Sequence, residues 1–153
     1  MIGSVLKKEA EFFNKQPENV RILLITNLIY ALVLPVLELF VGAYILRESN
    51  NNSYVVIYQL MVYAGIPFTF LVNGFLLRWI PIARLYSLGM LMSGVAMAVM
   101  MILPQLDVTG IGLVGFIMGS SYGFFWANRD FLSLSSTTEE NRNYYFSLET
   151  VFY

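Results

Sequence analysis

Four long apolar runs divide the chain, at about 22–46, 54–77, 85–103 and 110–134, with short polar segments between them. A helix crosses a bilayer core with about 20 predominantly apolar residues, so each run predicts one transmembrane span. Ahead of them, residues 1–20 carry Lys7, Lys8, Glu9, Glu11, Lys15 and Glu18, with Leu6, Ala10 and Phe13 at helical spacing. That pattern predicts a short amphipathic helix on the membrane surface, ended by Pro17. The first run is too long for a signal-peptide core and lacks a small-residue cleavage site, so it is read as a retained span. After the fourth run, Ser136-Thr137-Thr138-Glu139 has the form of a capping box and predicts a fifth helix from about 137. Tyr144, Tyr145 and Phe146 are expected at its interface. Its apolar part reaches Tyr153 after about ten residues, half of what a crossing requires. The chain is therefore expected to end within an element, as an incomplete transmembrane domain over 21–153.

Polar residues within the runs fall on single faces. Asn27, Ala31, Leu34 and Glu38 align on the first span, because eleven residues return a helix to within about 20°. Tyr30 lies on the same helix, and Pro35 removes a backbone donor just before Glu38. Gln59, Thr69 and Asn73 line one side of the second span, where Gly65 and Pro67 mark a bend. The third span has only Ser87 and Ser93 as polar side chains and is expected to be peripheral, its Met residues filling gaps. In the fourth, Gly115, Gly119 and Gly123 recur at every fourth residue and form a bare strip for close helix packing. Tyr122, Trp126, Asn128, Arg129 and Asp130 follow or interrupt that strip. Charges so placed are costly and mark functional positions, with snorkelling to the interface as the alternative for Arg129 and Asp130. Counted from the ends of their spans, Asn27, Asn73 and Arg129 share one depth, whereas Glu38 is level with residues 119–122, roughly 15 Å away. Glu38 and Arg129 are thus not expected to pair.

Composition sharpens this all-α membrane reading. Of 153 residues, 58% are hydrophobic and 12% charged, with mean hydropathy +0.65; soluble domains carry about a quarter charged residues. A net charge of -1 offers no basic footprint for nucleic acid. The absence of Cys and His removes disulfides, thiolate or imidazole metal sites and the common nucleophilic triads, so no metal, no cofactor and no enzymatic activity is expected. Asn51-Asn52-Ser53 matches a glycosylation sequon, a three-residue match inside an Asn run that chance explains. Lys7, Lys8, Lys15, Arg21, Arg78, Arg84 and Arg142 lie on the side of the N-terminus, against Arg47 alone on the other. The positive-inside rule then predicts a multi-pass protein of the cell (inner) membrane with a cytoplasmic N-terminus.

The layout resembles the N-terminal part of a major facilitator superfamily transporter. The similarity covers the whole chain as spans one to four and the start of five. It rests on the cytoplasmic N-terminus, the tight connection between spans two and three, and the segment from Tyr122 through Arg129 to Thr138 and Phe146. The family's loop signature after span two is partly present: Gly74 and Leu76 match, Arg78 stands in place of its Asp, Trp79 of its Arg and Pro81 of its Gly, and Arg84 supplies a late cation. These departures bear on the carboxylate-based gating contact that the family makes there and leave the topology unchanged. The resemblance implies alternating-access transport of a small molecule or ion, further C-terminal transmembrane segments as partners, and a cavity to which spans one, two and four contribute. A self-contained four-span protein that dimerises through the Gly115/Gly119/Gly123 strip as a structural subunit is the competing expectation.

Overall fold

A computed structural model describes residue 7, residues 10–103 and residues 105–152, with only the backbone of Glu140, Val151 and Phe152. The parts of the expected amphipathic helix at Leu6, Lys8 and Glu9, Pro104 in the third connection, and Tyr153 lie outside the described residues. Most of the described residues lie in the helices α1 (Glu18–Ser49), α2 (Asn52–Leu76), α3 (Ile82–Ile102), α4 (Val108–Ser136) and α5 (Glu139–Phe152). No strand occurs among the described residues. The first four are long and apolar enough to cross a membrane, and each outlasts or matches its apolar run because flanking polar residues join the helix ends.

Local chemistry sets the boundaries. The Pro17 carbonyl accepts from the amides of Val20 and Arg21, which starts α1 directly behind a helical turn at residues 10–14. α1 ends at Asn50, whose φ of 49° is a left-handed conformation that Asn tolerates and whose amide donates to the Leu46 carbonyl. Asn51 then caps α2, its side chain accepting from the Ser53 amide at 2.9 Å. The sequon Asn is therefore a helix cap. At α5 one half of the expected capping box is present, with a different partner from the one expected. Thr138 precedes the helix, and Asn141, three residues on, accepts from its amide at 2.7 Å and from its hydroxyl at 3.1 Å. Glu139 is the first helical residue and so stands too early to reach back.

The chain divides into two compact units, residues 1–35 with 133–153, and residues 36–132. In the second unit α4 is the central element. Its hydropathic core stretch is 72% buried, against 33%, 22% and 33% for α1, α2 and α3. The glycine strip explains how. A Cβ at Gly115 would lie 2.6 Å from the Tyr58 carbonyl, one at Gly119 would run into the Val62 carbonyl, and one at Gly123 would meet the Thr69 side chain at 2.6 Å. Gly65 of α2 answers from the other side, where a Cβ would lie 2.7 Å from the Phe116 carbonyl. The strip is filled by α2 of the same chain, so it offers no open surface to a second copy. α3 packs just as closely: a Cβ at Gly89 would lie 2.7 Å from the Phe125 amide, and Ser121 donates to the Gly89 carbonyl at 2.7 Å. Tyr86 stacks on Phe125 with ring centroids 5.3 Å apart. The third helix, expected to be peripheral, is thus buried to the same degree as α1.

In the first unit, the segment 10–16 packs on α5. Phe12 meets Tyr144 edge-on at 4.4 Å, and Asn141 donates to the Gln16 side chain at 2.9 Å.

Candidate functional site

Three polar groupings stand out against these apolar helices. The first joins α1 and α4 within the second unit. Glu38, exposed but on the same face of α1 as buried Val41 and Ile45, accepts a hydrogen bond from the Tyr122 hydroxyl at 3.1 Å. Val36, Leu39 and Phe40 are apolar and exposed on the other side of the same helix. Tyr58 of α2 is 1% exposed, its hydroxyl is buried without a hydrogen-bond partner, and it lies within electrostatic reach of the Glu38 carboxylate. An unpaired buried hydroxyl costs about 1–3 kcal/mol, which makes this an unusual place to leave one.

The second grouping joins α2 and α4. Asn128 donates to the Asn73 side chain at 2.8 Å and to the Phe124 carbonyl at 2.7 Å, and its own oxygen is buried without a partner. One residue on, Arg129 places its guanidinium 4.2 Å over the Trp126 ring and donates twice to Asp130, at 2.9 and 2.7 Å. Arg129 is 12% exposed in its side chain and Asp130 64%, so the ion pair leads from the packed face outward. The group that meets Asn73 is the Asn128 amide and not the neighbouring guanidinium. Thr69, on the same face of α2, is buried against Gly123, while Gln59 is half-buried.

The third grouping lies in the first unit. Asn27, fully buried, donates to the Tyr145 hydroxyl at 2.9 Å and to the Glu149 carboxylate at 3.3 Å. Ser133 donates to the same Tyr145 oxygen at 2.8 Å. Tyr145 was expected at an interface and is instead 0% exposed at the centre of this network, because its hydroxyl has two buried polar partners. Glu149 and Ser133 were missed altogether. The available signal was the i, i+4 spacing of Tyr145 and Glu149, which puts both on one face of α5. Tyr30 is buried on α1 in the same unit.

The remaining candidates sit at the α2–α3 connection, residues 77–81, which is closed by the amides of Trp79 and Ile80 donating to the Leu76 carbonyl. Gly74 faces open space, Arg78 lies 5.9 Å over the Phe75 ring, and Arg84 falls in the first turn of α3, exposed. Among the described residues, no group of three or more acidic side chains could hold a metal ion.

No family model and no solved structure matches the chain. Two curated relatives do, both described only as uncharacterized. One is the protein in the sodM 3' region of Geobacillus stearothermophilus, 25% identical over 116 residues, or 76% of this chain and 54% of the relative. The other is YqgE of Bacillus subtilis (strain 168), 23% identical over 117 residues, or 76% of this chain and 27% of the relative. The chain therefore spans about half the length of one relative and about a quarter of the other.

Proposed function

We propose that α1–α4 cross a cell membrane as spans of an alternating-access secondary transporter of the major facilitator type, which moves a small solute. The observation that carries this is the Glu38–Tyr122 hydrogen bond between α1 and α4, a carboxylate held at a defined place among apolar side chains. Ionisable groups inside apolar spans are expensive and mark substrate or ion pathways. The length and apolarity of the four helices support the membrane setting. The excess of basic residues beside the start of α1, the α2–α3 connection and α5 supports a cytoplasmic position for those segments. Transport of this type uses two repeats that rock around a shared site, and the relatives extend well beyond the stretch they share with this chain.

The test is uptake by the full-length protein in proteoliposomes, screened against solute gradients through the currents they drive. Glu38→Gln keeps folding and insertion and lowers saturable uptake at least about tenfold. Unchanged transport in this variant overturns the role of Glu38, and no saturable transport of any solute overturns the transporter reading.

A further inference from the structure

Methionine ordinarily closes gaps between helices, because its three rotatable bonds let it follow an irregular surface. In the second unit three methionines border a gap and leave it open. Near their C-terminal ends α1 and α3 enclose a cleft of about 230 Å³, lined by Phe40, Val41 and Tyr44 on one wall and by Met97, Met100 and Met101 on the other. Met97 stands three residues before Met100 and four before Met101, so both are its neighbours on one helix face, with Cβ atoms about 5–6 Å apart. Met100 is buried and Met101 is 81% exposed, so the row runs from the floor of the cleft to its mouth. Met101 is the next-to-last residue of α3 and Tyr44 lies five residues before the end of α1, which sets the cleft about one to two turns from the polar connections that follow both helices. An ion can enter from water there.

The lining selects the ion by its chemistry. Hard cations such as Ca2+ and Mg2+ gather oxygen ligands, and among the side chains of this cleft the Tyr44 hydroxyl is the one oxygen. Thioethers are soft ligands that select Cu(I). The expectation of no metal rested on the missing Cys and His, and thioethers stand outside it. We propose that Met97, Met100 and Met101 form a binding site for a soft monovalent metal ion, Cu(I), whose open side faces the Phe40 and Tyr44 rings. An aromatic face attracts a cation most strongly where water is excluded, which offsets the lack of an anionic ligand. Neutral ligands leave the ion its charge, so it is held reversibly. The site does not involve Glu38 or Tyr122 and does not rest on the transport reading.

Ag(I), the air-stable ion of the same charge and softness, is the probe, titrated as its nitrate into purified full-length protein in chloride-free buffer and followed by calorimetry, with Na(I) and Zn(II) as controls. The wild type binds one Ag(I) more than the Met97→Leu/Met100→Leu/Met101→Leu variant, whose volume-conserving replacements keep the helix and whose fold is verified by circular dichroism. Met100→Leu alone weakens that site at least about tenfold, and Met92→Leu, on the same helix outside the cleft, leaves it unchanged. Neither Na(I) nor Zn(II) displaces the ion. A coordinated sulfur has given up the lone pair that peroxide attacks, so Ag(I) slows oxidation of Met97 and Met101 several-fold relative to Met92, read by mass spectrometry. Equal Ag(I) uptake by the wild type and the triple variant, loss of the site in Met92→Leu, or oxidation of Met97 and Met101 that Ag(I) does not slow overturns the proposal. Cu(I) loaded without oxygen shows a sulfur shell in X-ray absorption that the triple variant lacks, and a shell of nitrogen or oxygen alone overturns the assignment to the thioethers.

Discussion

Asn128 spends both amide hydrogens, one on Asn73 and one on the Phe124 carbonyl, and keeps a buried oxygen without a partner. The bond to Asn73 therefore ties α2 to α4 at a cost. Asn128→Ala removes the orphan oxygen together with the donor, so the loss falls near the low end for such bonds, about 1 kcal/mol. Asn73→Ala loses more, since it leaves a buried Asn128 N–H unpaired beside the orphan oxygen. Denaturation midpoints of the two variants, compared with the wild type, check the order; an Asn73→Ala loss smaller than that of Asn128→Ala contradicts it. At this scale the sequence showed where polar residues sit along each helix and at what depth, which is why Glu38 was placed level with Tyr122. It could not show which of two adjacent side chains turns inward. Asn128 and Arg129 are 100° apart on the helix, and only the packing of α2 selects the amide.

The α2–α4 seam makes a sharper statement at the level of whole helices. A side chain at Gly119 has no room, because the Val62 backbone occupies its place, whereas one at Gly74 meets nothing within 4 Å. Gly119→Leu consequently forces the helices apart and costs at least the 1–3 kcal/mol typical of overpacking, while Gly74→Leu is close to neutral. Thermal stability of the pair in one detergent measures the contrast, and equal effects would mean that the seam is not the close contact described. Helix existence was legible because long apolar runs alternate with short polar breaks. The partner of the glycine strip was not, since spacing identifies a bare face but says nothing of what lies against it. α5 was half legible: the Ser136–Glu139 run announced a start near 137, two residues before the observed one, but Asn141, a weaker capping residue by habit, did the work expected of Glu139. Its buried pair, Tyr145 and Glu149, was hidden because their partner Asn27 lies over a hundred residues away in sequence.

For the molecule as a whole, the proposed membrane setting puts Asn51 and Trp79, both exposed and at opposite ends of α2, on opposite faces of the bilayer. The chain contains no Cys, so single cysteines at these two positions report alone. An impermeant maleimide labels the residue 51 cysteine in intact cells and the residue 79 cysteine only after the membrane is opened; labelling of both from outside contradicts the arrangement. The burial of α4 carries one more consequence, for biogenesis. The helix that the others enclose is also the least apolar of the four, and it is synthesised after three more hydrophobic neighbours. In the proposed membrane setting, entering lipid alone would leave its serines and glycine-bared backbone against acyl chains. It is better received by a cleft that α2 and α3 have already formed, so the ribosome's order of delivery becomes a requirement of assembly, and a damaged seam at Gly119 would surface first as a helix that fails to enter.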